Sequence, residues 1–138
     1  MELDTRTSVA ALVIRATLGA MYLAHSIGLK LLTFGLPGTA AFFGNVGLPR
    51  WLAYVTFVAE AIGGTLLILG IQSRWVALAL SPALFGAIIW VHGANGWVFT
   101  AAGGGWEYPA FLIAASAALA LLGDGAFVIG RLKSWRRA

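Results

Sequence analysis

The sequence predicts an all-α fold, a four-helix transmembrane bundle of antiparallel, up-down topology with both termini cytoplasmic. Three observations carry that prediction. The 138 residues are 60% hydrophobic and 10% charged, against roughly 45–50% and 25% in soluble domains, and the mean hydropathy is +0.89. Four apolar runs, residues 8–34, 51–70, 75–92 and 107–123, approach or exceed the roughly 20 residues that a helix needs to cross a bilayer. The cations Arg6, Arg74, Arg131, Lys133, Arg136 and Arg137 fall in the N-terminal segment, the 71–74 link and the C-terminal tail, against Lys30 and Arg50 on the other side. The positive-inside rule makes the first group cytoplasmic.

The first run is too long, and Arg15 too polar, for the apolar core of a cleaved signal peptide, so it is expected to stay as the first span. Residues 35–50 carry a proline near each end and several glycines, which predicts an interfacial loop with at most one short helical turn. On the second span Glu60 shares a face with Thr56, Gly63, Gly64 and Leu67, the pattern of a helix contact in lipid. The short link at 71–74 makes the second and third spans antiparallel neighbours. Pro82 should kink the third span. The fourth begins near Glu107, with Ala114 and Ala118 as its small-residue contact face and Ser116 turned to lipid or a neighbour. The chain reads as one membrane domain, 1–138.

A charge in a membrane helix costs on the order of 3 kcal/mol by insertion scales. Arg15 therefore needs a partner, and Glu60 is the one carboxylate midway along another span, which predicts a buried Arg15–Glu60 ion pair. His25, His92 and Glu107 reach one depth near the outer face, beside Tyr22, Trp106 and Tyr108. A quinone headgroup needs hydrogen-bonding groups, a proton-exchanging group and aromatic walls, and these six residues could supply them. Haem or a metal on His25 and His92 is the lesser reading, since the spacing gives no i, i+3 or i+4 ligand pair. There is no cysteine, so no thiolate site, and no phosphate-loop pattern follows the glycines. The net charge of +4 lies at span ends and is a lipid signal, with no nucleic-acid partner implied.

In order along the chain stand Arg15, Gly19, His25 and Lys30; Leu-Pro-Gly-Thr-Ala from Leu36; Ala59-Glu60 with Gly63-Gly64; His92 with Asn95-Gly96-Trp97; Gly104-Gly105-Trp106-Glu107-Tyr108-Pro109; and Leu122-Gly123-Asp124-Gly125-Ala126-Phe127. This order resembles the DoxX family of membrane proteins over nearly the whole chain. Many members have His-Gly-x-x-Lys ending the first span, whereas here the lysine comes one residue later, at Lys30. The resemblance implies a four-helix bundle of the bacterial cytoplasmic membrane, associated with partner subunits of a membrane redox complex or with a second copy of the chain. Related DoxD-type proteins belong to a thiosulfate:quinone oxidoreductase. Two expectations follow: a small subunit of a quinone-linked oxidoreductase, or a non-catalytic scaffold whose buried polar residues are structural.

Overall fold

The structure, a computed structural model, describes residues 3–129, so the basic tail that entered the charge count lies outside the described residues. All regular elements among them are helical. Helix α1 (Leu3–Leu23) continues without a break as a π-helix, Ala24–Thr33. Then come α2 (Leu36–Asn45), α3 (Trp51–Leu69), α4 (Ser73–Gly86) and α5 (Glu107–Leu122). Helix α4 is extended by a π segment, Ala87–His92, and a 3-10 turn, Gly93–Asn95. Three helices are long and apolar enough to cross a membrane, Asp4–Thr33, Trp51–Leu69 and Ser73–Asn95, while α5 is shorter.

Helix α2 corrects the loop expected between the first two spans. Pro37 lies at its start, where a missing N–H costs nothing, and Thr39 bonds back to the carbonyls of Gly35 and Lys30. The glycines that suggest a loop sit inside and around a helix with two buried residues, Thr39 and Ala40.

Packing follows from small residues. Helix α1 lies against α3 and α5, and α4 lies against the same two. A Cβ on Gly19 would come within 2.8 Å of the Gly64 carbonyl, so α1 and α3 touch backbone to backbone. On the next residue of α3, a Cβ at Gly63 would strike Leu80 of α4 at 2.6 Å. Adjacent glycines thus serve two different neighbours, as close packing without side chains in lipid requires. The buried stripe on α1 is Ala11, Arg15, Leu18 and Tyr22, continued by Ser26 in the π segment, a helical i, i+4, i+7 pattern that includes the charge.

On α5 the buried face is Pro109, Leu112, Ser116 and Leu119. Ala114 is exposed, and Ser116, expected to face lipid or a neighbour, is 1% exposed and so faces inward. Its hydroxyl donates to the Leu112 carbonyl at 2.8 Å, so burial strands no donor. The larger Leu112 and Leu119 decide which face turns inward. Pro82 stands within the α-helical part of α4, and the change of hydrogen-bond register comes later, at Ala87.

Candidate functional site

The expected Arg15–Glu60 pair is not formed. The five guanidinium protons of Arg15 meet five backbone carbonyls. Nε donates to Asp124 O at 2.8 Å, Nη1 to Leu67 O and Ile68 O at 2.9 and 2.7 Å, and Nη2 to Ala126 O and Phe127 O at 2.6 and 2.8 Å. Leu67 and Ile68 lie in the last turn of α3, at the negative end of the helix dipole, and Leu67 O accepts the Gly70 N–H as well, at 3.2 Å. Gly70 then turns the chain at φ 71°, and a Cβ there would lie 2.8 Å from Arg15 Cζ. The segment after α5 closes the clasp. Asp124 Oδ1 accepts the Ser73 N–H that opens α4 at 2.6 Å, and Ala126 N–H bonds the Ser8 carbonyl of α1 at 3.0 Å. A guanidinium has five donors and accepts nothing, so a carbonyl collar satisfies it as well as a carboxylate would.

Glu60 pairs with Lys30 instead, Nζ to Oε2 at 2.6 Å, with side chains 15% and 9% exposed. The π-helix explains the reach. In an α-helix residues four apart are stacked neighbours, whereas in a π-helix those five apart are. His25 and Lys30 are five apart and both lie in the π segment. The extra residue is absorbed by the wider turn, and Lys30 stays on the side of the helix where a lysine four residues on would stand. Beside this pair, Tyr22 is 1% exposed and sits in the field of Glu60 and next to Ser116. Its hydroxyl has no hydrogen-bond partner among the described residues.

At the opposite end from the clasp, both histidines lie in π segments, a form concentrated at functional sites. His25 Nδ1 contacts the Met21 carbonyl at 2.9 Å and His92 Nδ1 the Gly104 carbonyl at 3.0 Å. A carbonyl cannot donate, so each Nδ1 carries a proton and gives it to that carbonyl, and neither bond involves Nε2. The His25 ring stacks on Tyr108 with centroids 6.2 Å apart and planes at 24°. Trp106 meets Trp97 edge to face at 4.5 Å. Glu107 Oε1 accepts the Phe99 N–H at 2.6 Å, and Asn95 Nδ2 joins His92 on the Gly104 carbonyl. The loop between α4 and α5 is closed by Gly105 N to Val98 O, Trp106 N to Gly96 O and Glu107 N to Trp97 O.

The six outer residues expected to act together therefore divide. His25 and Tyr108 are brought into contact, His92 and Glu107 are tied to the same loop, and Tyr22 belongs with Lys30 and Glu60. Among the described residues no three His, Asp or Glu side chains stand close enough to hold a metal ion. Lys30 is the functional-site candidate that charge matching along the sequence passed over. Its one-residue offset from His-x-x-x-Lys is the signal that could have found it.

Three helices long and apolar enough to cross a membrane, with a largely buried ion pair between two of them, define a helical membrane protein with charged groups in its interior. The chain belongs to the DoxX family, whose model matches residues 10–93, a stretch that contains Arg15, His25, Lys30, Glu60 and His92 and stops before α5. It is similar to the Bacillus subtilis (strain 168) protein named "Putative oxidoreductase CatD", 39% identical over 83 residues. That match covers 60% of this chain and 60% of the relative's own length. No solved structure matches.

Proposed function

We propose that this chain is a multi-pass protein of the bacterial cytoplasmic membrane and the small subunit of a quinone-linked oxidoreductase complex. In this reading α1, α3, α4 and α5 cross the bilayer as a four-helix bundle with both termini cytoplasmic. Helix α5, at 16 residues, spans about 24 Å and needs local thinning of the bilayer.

The observation that carries the redox reading is the shared tautomer of His25 and His92, each with Nδ1–H given to a carbonyl and Nε2 left as a base. With Nδ1–H committed to a carbonyl, a neutral ring presents Nε2 as an acceptor for a quinol hydroxyl, and the quinol is the ligand form this reading takes. Tyr108, stacked on His25, and Trp106 would flank its ring. Oxidation of the quinol would release two protons, which the Nε2 atoms of His25 and His92 would accept, and two electrons, which a redox cofactor on a partner subunit would take up. The relative's oxidoreductase name agrees with this chemistry.

The test is purification in mild detergent, lipid extraction and mass spectrometry, followed by titration of a short-chain quinol analogue read by tryptophan fluorescence. A stoichiometric quinone, and binding weakened by about 1–3 kcal/mol in His25→Ala, support the reading. No quinone and no quenching end it.

The scaffold reading has its own observation. His25, His92 and Glu107 each already bond to backbone within the protein, so all three have structural employment without any ligand. A partner protein retained on purification with no quinone would favour it.

A further inference from the structure

At the clasp end of the molecule, Asp4, Thr7, Ser8, Gln72, Arg74 and Trp75, with residues 122–125, line a cavity of about 400 Å3. That volume is in the range of small-ligand sites. Asp4 and Arg74 both line it, yet they do not pair: Lys30–Glu60 is the one ion pair among the described residues. Opposite charges facing one space without contact suit a ligand that carries both signs.

Arg74 is also placed against helix energetics. It stands in the first turn of α4, at the positive end of the helix dipole, where a cation is disfavoured. The positive-inside bias accounts for a cation on this face but not for one at a helix N-terminus bordering a cavity. An anion bound there would be held by Arg74 and by the dipole together. Asp4, in the first turn of α1, supplies the complementary negative charge. Trp75, 63% exposed, adds an indole face that attracts an ammonium group.

The floor is rigid, because it is the clasp itself. Asp124 is fixed on Ser73, and Gly125 is pressed so close to α1 that a Cβ would meet Ser8 O at 2.5 Å. Leu78, one helical turn beyond Arg74, and Leu121, next to the lining residue Leu122, are exposed, 43% and 84%, and would carry acyl chains along the helices.

We propose that this cavity holds the headgroup of a zwitterionic, ethanolamine-type phospholipid, its phosphate on Arg74 and its ammonium between Asp4 and Trp75. The site is independent of the quinol reading and lies at the other end of the helices.

The test is native mass spectrometry of the full chain, exchanged from detergent into equal amounts of dioleoyl phosphatidylethanolamine and dioleoyl phosphatidylglycerol. The wild type should retain the ethanolamine lipid roughly two- to fivefold over the glycerol lipid, the worth of one surface charge pair. Asp4→Asn should bring the two to near equality, and Arg74→Gln should lower retention of both. Both side chains are exposed, and a thermal melt confirms that each variant is folded. Equal retention by the wild type, or a preference that survives Asp4→Asn, overturns the proposal. So does unchanged retention in Arg74→Gln.

Discussion

Lys30 Nζ lies 2.6 Å from Glu60 Oε2, and this contact joins the π-helical end of the first helix to the middle of α3. The two charges are nearly removed from water, so each is tolerable only because of the other. Arg15, on the same buried stripe as Tyr22, solves the same problem through backbone carbonyls, with the Asp124 carboxylate near it but making no ion pair.

The first prediction follows from that difference. Lys30→Met and Glu60→Gln should each destabilise the protein by about 3–5 kcal/mol, with the double variant losing less than the sum. Arg15→Ala combined with Glu60→Gln should be additive, because they share no contact. Thermal melts in one detergent decide both. Strong coupling between Arg15 and Glu60 would contradict the geometry.

The second concerns Gly70 and Arg15. Gly70 has φ 71°, so Gly70→Ala costs about 1–2 kcal/mol in backbone strain alone. It costs more while the guanidinium stands 2.8 Å from the new Cβ. In an Arg15→Ala background the steric part should vanish and only the strain remain. Equal losses in both backgrounds would mean that Arg15 leaves the position on its own.

What the sequence made legible was periodic or compositional. Glu60 with Gly63, Gly64 and Leu67 forms the buried face of α3 as the spacing implied, and Arg15 does face inward. The partners were not legible. Charge matching offers Arg15 a carboxylate, while the structure uses carbonyls left over at a helix end and after α5, groups that every residue carries and no composition displays. The one-residue offset of Lys30 rotates it away from His25 in an α-helix, and only a π turn restores its direction. On α5, Ala114 and Ala118 looked like a contact face, but leucines on another stripe had more surface to bury.

The third prediction is that Asp124→Ala destabilises the clasp by about 1–2 kcal/mol, the usual worth of an N-cap. Its Oδ1 caps α4 from across the molecule, on Ser73 N, while its own carbonyl, which holds Arg15 Nε, survives the substitution. Asp124→Asn keeps an acceptor and should recover most of the loss. Hydrogen exchange at the Ser73 amide should accelerate in the alanine variant and far less in the asparagine one. Unchanged exchange in Asp124→Ala would remove the cap from the account.

The last prediction tests the π-helix itself. Residues 24–33 form wide turns in which His25 and Lys30, five apart, stack as residues four apart do in an α-helix. Deleting Ile27, which is 41% exposed, would leave the lysine four residues after the histidine, the spacing of the His-Gly-x-x-Lys pattern that the chain otherwise resembles. The segment can then relax to α-helix with the lysine still directed at Glu60. The deletion should therefore cost little, within about 1 kcal/mol, as surface changes usually do. The coupling between lysine and Glu60 in a double-mutant cycle should persist. Inserting an alanine at the same place lengthens the spacing to six, which neither helix type accommodates, and should abolish that coupling. Melting temperatures of the deletion, the insertion and their Glu60→Gln partners supply the cycle. If the deletion removes the coupling as completely as the insertion does, the π-helix is not what carries Lys30 to Glu60.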